Sequence, residues 1–538
     1  MVVDVSSSAA DQQVGNRVMQ LAPGLIAATL PCLLSCLASV LWSTGSTDRA
    51  AQGLRVAVFE QVGFSPWSNQ WFAGHHLAGY GLFVQALSSW FGSTLVAVAA
   101  AVLGSAGFWM IVRKVVERQS AAGSPLVAVV WCSLAMSTSV WAGRTPFCVG
   151  FAAATWAVLA ALSNRRVTAA ALAVAAGLAS PVCAVFVCVA AVGWMGRERA
   201  FARTGAALAA GAAVVLAAGA LLFPERGRYP FPVGSYLNIV ASTVVLIVSV
   251  RVHPRVVRAG LAYSALATIL FIVPNPVGSI VERLGSIVAG PILVLLWRPH
   301  LPRLPRLGIL VAITVAVTAW QVRPMSFAWS ERHPSYEAAF FEPAVTFLLD
   351  QPGVFRVEAV PLRSHAESDY LARVLPLARG WAGHVDRDRN PLFFGDLSAD
   401  EYEAWLIEEG VSFVALANAP IDTTGLREAA LVRGGLPFLE EVWLSPDWVI
   451  YAVTPRPTLA TPGLEVTAMT VDTIEAQVEK PGAFELKVRF SPWFVVDGAA
   501  CVSESESGWT TVVATRAGAI TIRADWTWKA ILDRNGTC

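Results

Sequence analysis

Eleven apolar runs lie close together between Leu21 and Val322, and they constrain this chain more than any other feature. They are, approximately, Leu21–Thr44, Phe91–Val112, Pro125–Ala142, Pro146–Leu162, Val167–Ala179, Pro181–Met195, Thr204–Phe223, Tyr236–Val250, Ala259–Val273, Leu284–Trp297 and Leu307–Val322. Most come near the ~20 residues that carry a helix across a ~30 Å hydrocarbon core. From Arg323 to Cys538 no such run occurs, and charged and turn residues return. Only 14% of the 538 residues are charged, against roughly 25% in soluble proteins. The expected architecture is a polytopic α-helical membrane domain of about eleven transmembrane helices. A soluble extracytoplasmic α/β region and a C-terminal β-sandwich follow. With 39 basic and 38 acidic residues, bulk charge excludes a nucleic-acid binder.

Orientation follows from the basic residues between runs. Arg113, Lys114 and Arg118 form one group, Arg251, Arg255 and Arg258 a second, and Arg298, Arg303 and Arg306 a third. Loops poor in Lys and Arg alternate with them. The positive-inside rule then gives a plasma-membrane protein with a cytoplasmic N-terminus and an extracytoplasmic C-terminal domain. Residues 1–20 form a cytoplasmic tail, and the first helix serves as an uncleaved anchor. One straight helix over 167–195 would be about 43 Å long, with Arg165-Arg166 and Arg197, Arg199 and Arg203 on opposite sides. Both flanks belong inside, so the segment turns back at Ser180-Pro181, as two short helices or a re-entrant hairpin. Cys501 and Cys538, in the outer domain, are positioned to pair if geometry permits.

The domain limits read as 21–322 for the membrane part, 323–460 for the α/β part and 461–538 for the sandwich. Ser398 and Glu401 form a capping-box pattern at the head of an amphipathic helix ending near Gly410. Val411–Ala417 reads as a buried strand. Period-two apolar faces then appear at Ile474, Ala476 and Val478, at Phe484, Leu486, Val488 and Phe490, and at Ile520, Ile522, Ala524 and Trp526.

The longest outer loop of the membrane domain, residues 45–90, carries Asp48, Glu60, His75 and His76 among Trp67, Trp71 and Tyr80. So aromatic a loop is expected at the membrane–water boundary, with its acids and imidazoles facing the outer opening of the bundle. Outer-facing arginines are few: Arg144, Arg226, Arg228 and Arg283. Asp386-Arg-Asp388 copies a metal-site pattern but reads as a structural or solvated loop.

The stretch Glu60-Gln-Val-Gly-Phe-Ser-Pro-Trp-Ser-Asn-Gln-Trp-Phe-Ala-Gly-His-His-Leu-Ala-Gly-Tyr80 resembles the first extracytoplasmic loop of the C-type, lipid-linked-sugar glycosyltransferases and their actinobacterial relatives. Ser180-Pro181, Asn275-Pro-Val-Gly278, Arg379-Gly-Trp381, Asn390-Pro-Leu-Phe393 and Phe490-Ser-Pro-Trp493 extend that resemblance over nearly the whole chain. It implies transfer of a sugar from a polyprenyl-phosphate donor to an envelope glycan or glycolipid. A carboxylate would take the acceptor proton; Glu60 is the first choice and Asp48 the second. Cations would steady the phosphate leaving group, with Arg144 and Arg283 as candidates. His75, His76, Trp67, Trp71 and Tyr80 are candidates for contacts to donor or acceptor. A divalent metal remains open, since the loop has neither an Asp-Asp pair nor an Asp-x-Asp. A non-catalytic envelope-assembly scaffold is the alternative. A secondary transporter ranks lower, because ionisable residues are scarce within the apolar runs.

Overall fold

The computed structural model describes residues 6–42, 45–77, 81–118, 124–196, 199–223, 227–249, 253–296, 303–329, 333–527 and 538. Each of the eleven apolar runs is helical within these residues. In order the helices are α1 (Ser6–Trp42), α2 (Thr47–Val62), α3 (Val84–Phe91), α4 (Ser93–Glu117), α5 (Pro125–Trp141), α6 (Thr145–Leu162), α7 (Arg166–Ala179), α8 (Pro181–Trp194), α9 (Arg199–Leu222), α10 (Val233–Ser249), α11 (Pro254–Ile272), α12 (Glu282–Leu296) and α13 (Arg303–Trp329). Among the described residues, six helical segments are long and apolar enough to cross a membrane, in α1, α4, α6, α9, α11 and the stretch ending with α12. α5, α7, α8, α10 and the apolar part of α13 are shorter.

The turn expected at Ser180-Pro181 is a break between two helices. Ser180 is extended, and Pro181 opens α8, where its missing N–H costs nothing. At 14 residues each, α7 and α8 reach only about 21 Å. Small residues let their neighbours close in: a side chain at Gly150 of α6 would meet Cys183 and Ser180 at 3.0 Å. At the other end, Arg118 donates to the Leu162 carbonyl at 2.9 Å and Arg258 to that of Gly193 at 2.8 Å. The basic end of α4 is therefore beside the end of α6, and that of α11 beside the end of α8.

The C-terminal part is sheet-rich. Strands β1 (Trp67–Ser68) and β2 (His75–His76) form a two-stranded antiparallel ribbon within the first loop. β3 (Arg356–Ala359) pairs in parallel with β4 (Val411–Ala417), and β5 (Leu439–Leu444) and β6 (Trp448–Val453) complete the order β3-β4-β6-β5. The crossover from β3 to β4 contains the helix Ala399–Glu408, with Ser398 and Glu401 exchanging cap hydrogen bonds. Every residue of β4 is buried. Seven further strands follow: β7 (Leu464–Met469), β8 (Thr473–Val478), β9 (Gly482–Arg489), β10 (Phe494–Asp497), β11 (Ala500–Glu504), β12 (Trp509–Ala514) and β13 (Gly518–Ala524). They make two sheets, β10-β13-β8-β7 and β11-β12-β9, whose alternating apolar residues share one core. Cys501 and Cys538 are joined in a disulfide.

The first loop departs most from expectation. Trp67 is buried in the core shared by β7–β13, while Trp71 and Phe72 are buried in the core of the β3–β6 region. The backbone between β1 and β2 supplies partners to both: Asn69 N–H donates to the Val471 carbonyl, Leu377 N–H to Gln70, and Arg489 N–H to Ala73. To turn between these attachments, Phe72, Ala73 and Gly74 all take positive φ, which costs a non-glycine residue energy. The loop is thus a buried wedge, and the rim-lying aromatic belt expected of it is not formed by Trp67 or Trp71.

Candidate functional site

A cavity of about 690 Å3 lies between the helical bundle and the β3–β6 region. From the bundle come Asp48, Arg144, Arg283 and the tip of the α7–α8 pair at Ser180-Pro181; from the other side come His365, Glu367, Arg379, Trp381 and Asp422. Phe223 and its neighbours on α9 give one wall an apolar character.

Each contributor is held by local chemistry. Asp48 sits in the first turn of α2, where a carboxylate is favoured by the helix dipole. Ala51, Leu54 and Val58 form the apolar stripe that docks α2 on the β3–β6 core. Arg144 occupies the N-cap position of α6, and its Nε donates to Asp48 Oδ2 at 2.8 Å. Arg283 is placed by the Asn275-Pro-Val-Gly278 turn. There Asn275 Oδ1 accepts from the N–H groups of Val277 and Gly278 at 3.0 and 2.7 Å. Gly278 has a φ of 47°, and a Cβ there would meet the Tyr229 carbonyl at 2.5 Å. Arg283 stacks its guanidinium over Phe147, 5.4 Å from the ring centre.

The facing wall is equally constrained. Arg379 is held in bidentate fashion along one edge by Asp386, Nε and Nη2 donating at 3.0 and 2.7 Å, and its remaining nitrogen donates to Glu428 at 3.3 Å. Gly380 lets the segment pass over Trp71, whose ring a Cβ would meet at 2.3 Å. Trp381 then stacks on His365 with ring centres 3.5 Å apart. His365, itself at positive φ, lies 3.6 Å from Asp422 and 3.8 Å from Glu367.

The three titratable neighbours are driven to different protonation states. Burial works to raise the Asp48 carboxyl, but the guanidinium groups of Arg144 and Arg283 outweigh it and hold Asp48 below the usual carboxylate range. Burial pushes Glu367 up to about 8, and its Oε2 has no hydrogen-bond partner among the described residues. Burial also lowers His365 to about 4, against the pull of Asp422 and Asp48. Near neutrality the cavity therefore offers a carboxylate, a carboxylic acid and a neutral imidazole. Environments that separate titrations in this way equip a site for acid–base chemistry.

Of the residues nominated from sequence, the structure brings Asp48, Arg144 and Arg283 together. Glu60 stands on α2 about 18 Å along the helix from Asp48, exposed and accepting a hydrogen bond from Ser89 at 3.0 Å. It does not line the cavity. Neither do Trp67, Trp71, His75 and His76, which are at most 6% exposed within the wedge. His76 faces Ser491 at 3.3 Å, and His75 stacks on Trp71. Trp67 and Trp71 instead donate to Asn69 and to the Ser368 carbonyl. Tyr80 and Arg226 lie outside the described residues, and Arg228 is exposed. Asp386 serves Arg379 while Asp388 is exposed, so the Asp-x-Asp pattern is not a paired ligand set. No group of three or more potential metal ligands occurs among the described residues. His365, Glu367 and Asp422 carried no local sequence signal; only Arg379-Gly-Trp381 marked that wall. No protein-family model matches the chain, and no curated protein matches it.

Proposed function

We propose that this protein is an integral-membrane glycosyltransferase. It moves a sugar from a polyprenyl-phosphate donor to an envelope glycan or glycolipid at the extracytoplasmic face, crossing the membrane about eleven times. The observation that carries this reading is the Asp48–Arg144 ion pair, with Arg283, Glu367 and His365 lining the same cavity. Two guanidinium groups beside an apolar wall suit a phosphate on a hydrocarbon chain. The polar wall of His365, Glu367, Arg379 and Asp422 suits a second, polar substrate. The disulfide supports placing that domain in an oxidising compartment.

Asp48 is the base in this scheme, in place of Glu60. As the acceptor oxygen bonds to the anomeric carbon, Asp48 takes its proton and the phosphate leaves with the electron pair of the broken bond. Arg144 and Arg283 balance the charge that develops on that phosphate. The neutral His365–Trp381 stack offers a flat aromatic face and ring nitrogens to a sugar. The test is transfer from a radiolabelled polyprenyl-phosphate sugar in membranes containing wild type, Asp48→Asn or Glu60→Gln. Asp48→Asn should lower turnover by about 10² or more, with Glu60→Gln near wild type. Equal activity of Asp48→Asn and wild type would refute the base, and envelope restoration without any transfer would favour the scaffold.

A further inference from the structure

A second cavity, of about 530 Å3, lies inside the bundle. On α12 it extends from Leu284 to Leu296, about 18 Å. That is close to the hydrocarbon depth of one leaflet, half of ~30 Å. Its walls are apolar side chains of α4, α5, α6, α8, α10, α11 and α12, among them Val158, Ala190, Ala289 and Ile292. At the end away from the outer domain, Lys114, Arg118 and Arg255 line the mouth. At the other end an aromatic partition separates it from the first cavity. Phe147 lines the outer cavity; Phe151 and Phe186, with ring centres 5.6 and 6.3 Å from it, line the inner one.

We infer that this inner cavity binds one acyl chain of an anionic phospholipid whose phosphate sits among Lys114, Arg118 and Arg255. Two physical features select that occupant. An apolar space of this size forfeits dispersion contacts along its length unless a hydrocarbon fills it. Three basic side chains at a single mouth favour a negative headgroup, each by about 1 kcal/mol near a membrane surface. A zwitterionic lipid fits the shaft equally but gains nothing from the mouth. Occupancy here is independent of any reaction in the outer cavity, since Phe147, Phe151 and Phe186 stand between the two.

Native mass spectrometry of the full-length protein, titrated with dioleoyl phosphatidylglycerol, dioleoyl phosphatidylcholine or farnesyl phosphate, tests this. Phosphatidylglycerol should bind about tenfold or more tighter than phosphatidylcholine, the difference that charge at the mouth supplies. Lys114→Gln with Arg255→Gln should erase that preference. Ala190→Phe with Ala289→Phe should remove binding of both phospholipids at an unchanged unfolding midpoint. Equal affinity for the two phospholipids in wild type would overturn the inference. So would undiminished phosphatidylglycerol binding in a folded Ala190→Phe, Ala289→Phe variant. Binding of farnesyl phosphate but of neither phospholipid, lost in the Ala190→Phe, Ala289→Phe variant, would assign the shaft to a single-chain phosphate lipid and overturn the phospholipid assignment.

Discussion

Glu367 shows how one buried side chain carries a measurable signature. Its carboxyl is 2% exposed as a residue and is pushed up to about 8. Between the ordinary 4.5 and about 8, the unfolded chain has released this proton while the folded chain keeps it. Stability must then fall as pH rises through that window, by up to about 1.4 kcal/mol per unit. His365, lowered from 6.5 to about 4, acts in the opposite direction below pH 6.5, because the unfolded imidazole binds a proton that the folded one refuses. The two offset each other in acid; from 6.5 to about 8 Glu367 acts alongside Glu428 and Glu358, which burial also raises. Chemical unfolding at both ends of that interval should show wild type losing stability. Glu367→Gln should lose less over the same interval, and an unchanged slope in that variant would contradict the assignment.

Elements, rather than single residues, decide what the cavity contains. α2 was legible as part of an aromatic loop, yet its docking stripe of Ala51, Leu54 and Val58 turns Asp48 inward and leaves Glu60 exposed. A helix advances 1.5 Å per residue, so two acids twelve positions apart cannot share a site on one straight helix. Trp71 has a comparable indirect role. Its ring fills the space above Gly380 and so fixes the path of Arg379-Gly-Trp381 along the cavity wall. Gly380→Ala should force that segment away at a cost of about 1–3 kcal/mol. Both the unfolding midpoint and donor affinity should drop. Loss of stability at unchanged affinity would show that the segment does not position the wall.

At the scale of the molecule, residues 67–76 belong to the cores of the C-terminal part although the bundle separates them in sequence. Trp67 is 1% exposed within the sandwich core, so Trp67→Ala should cost about 3–5 kcal/mol. Limited proteolysis should then cut the 461–527 region faster while the helical circular-dichroism signal persists; unchanged cleavage would argue that the wedge is dispensable. Much of this architecture was readable in advance. Apolar runs, the Ser398 cap and the period-two strands are local patterns, set by the partition of side chains between water and oil and by the repeat of each element. That information lies within a few residues, so the chain itself determined the apolar helices, the buried β4 strand and the switch to sheet after Arg323. Which acid faces which guanidinium was decided only in three dimensions. Asp48, Arg144, Arg283 and the His365–Glu367 turn come from four separate segments, and their meeting depends on long-range packing, for which no short stretch of sequence carries a code.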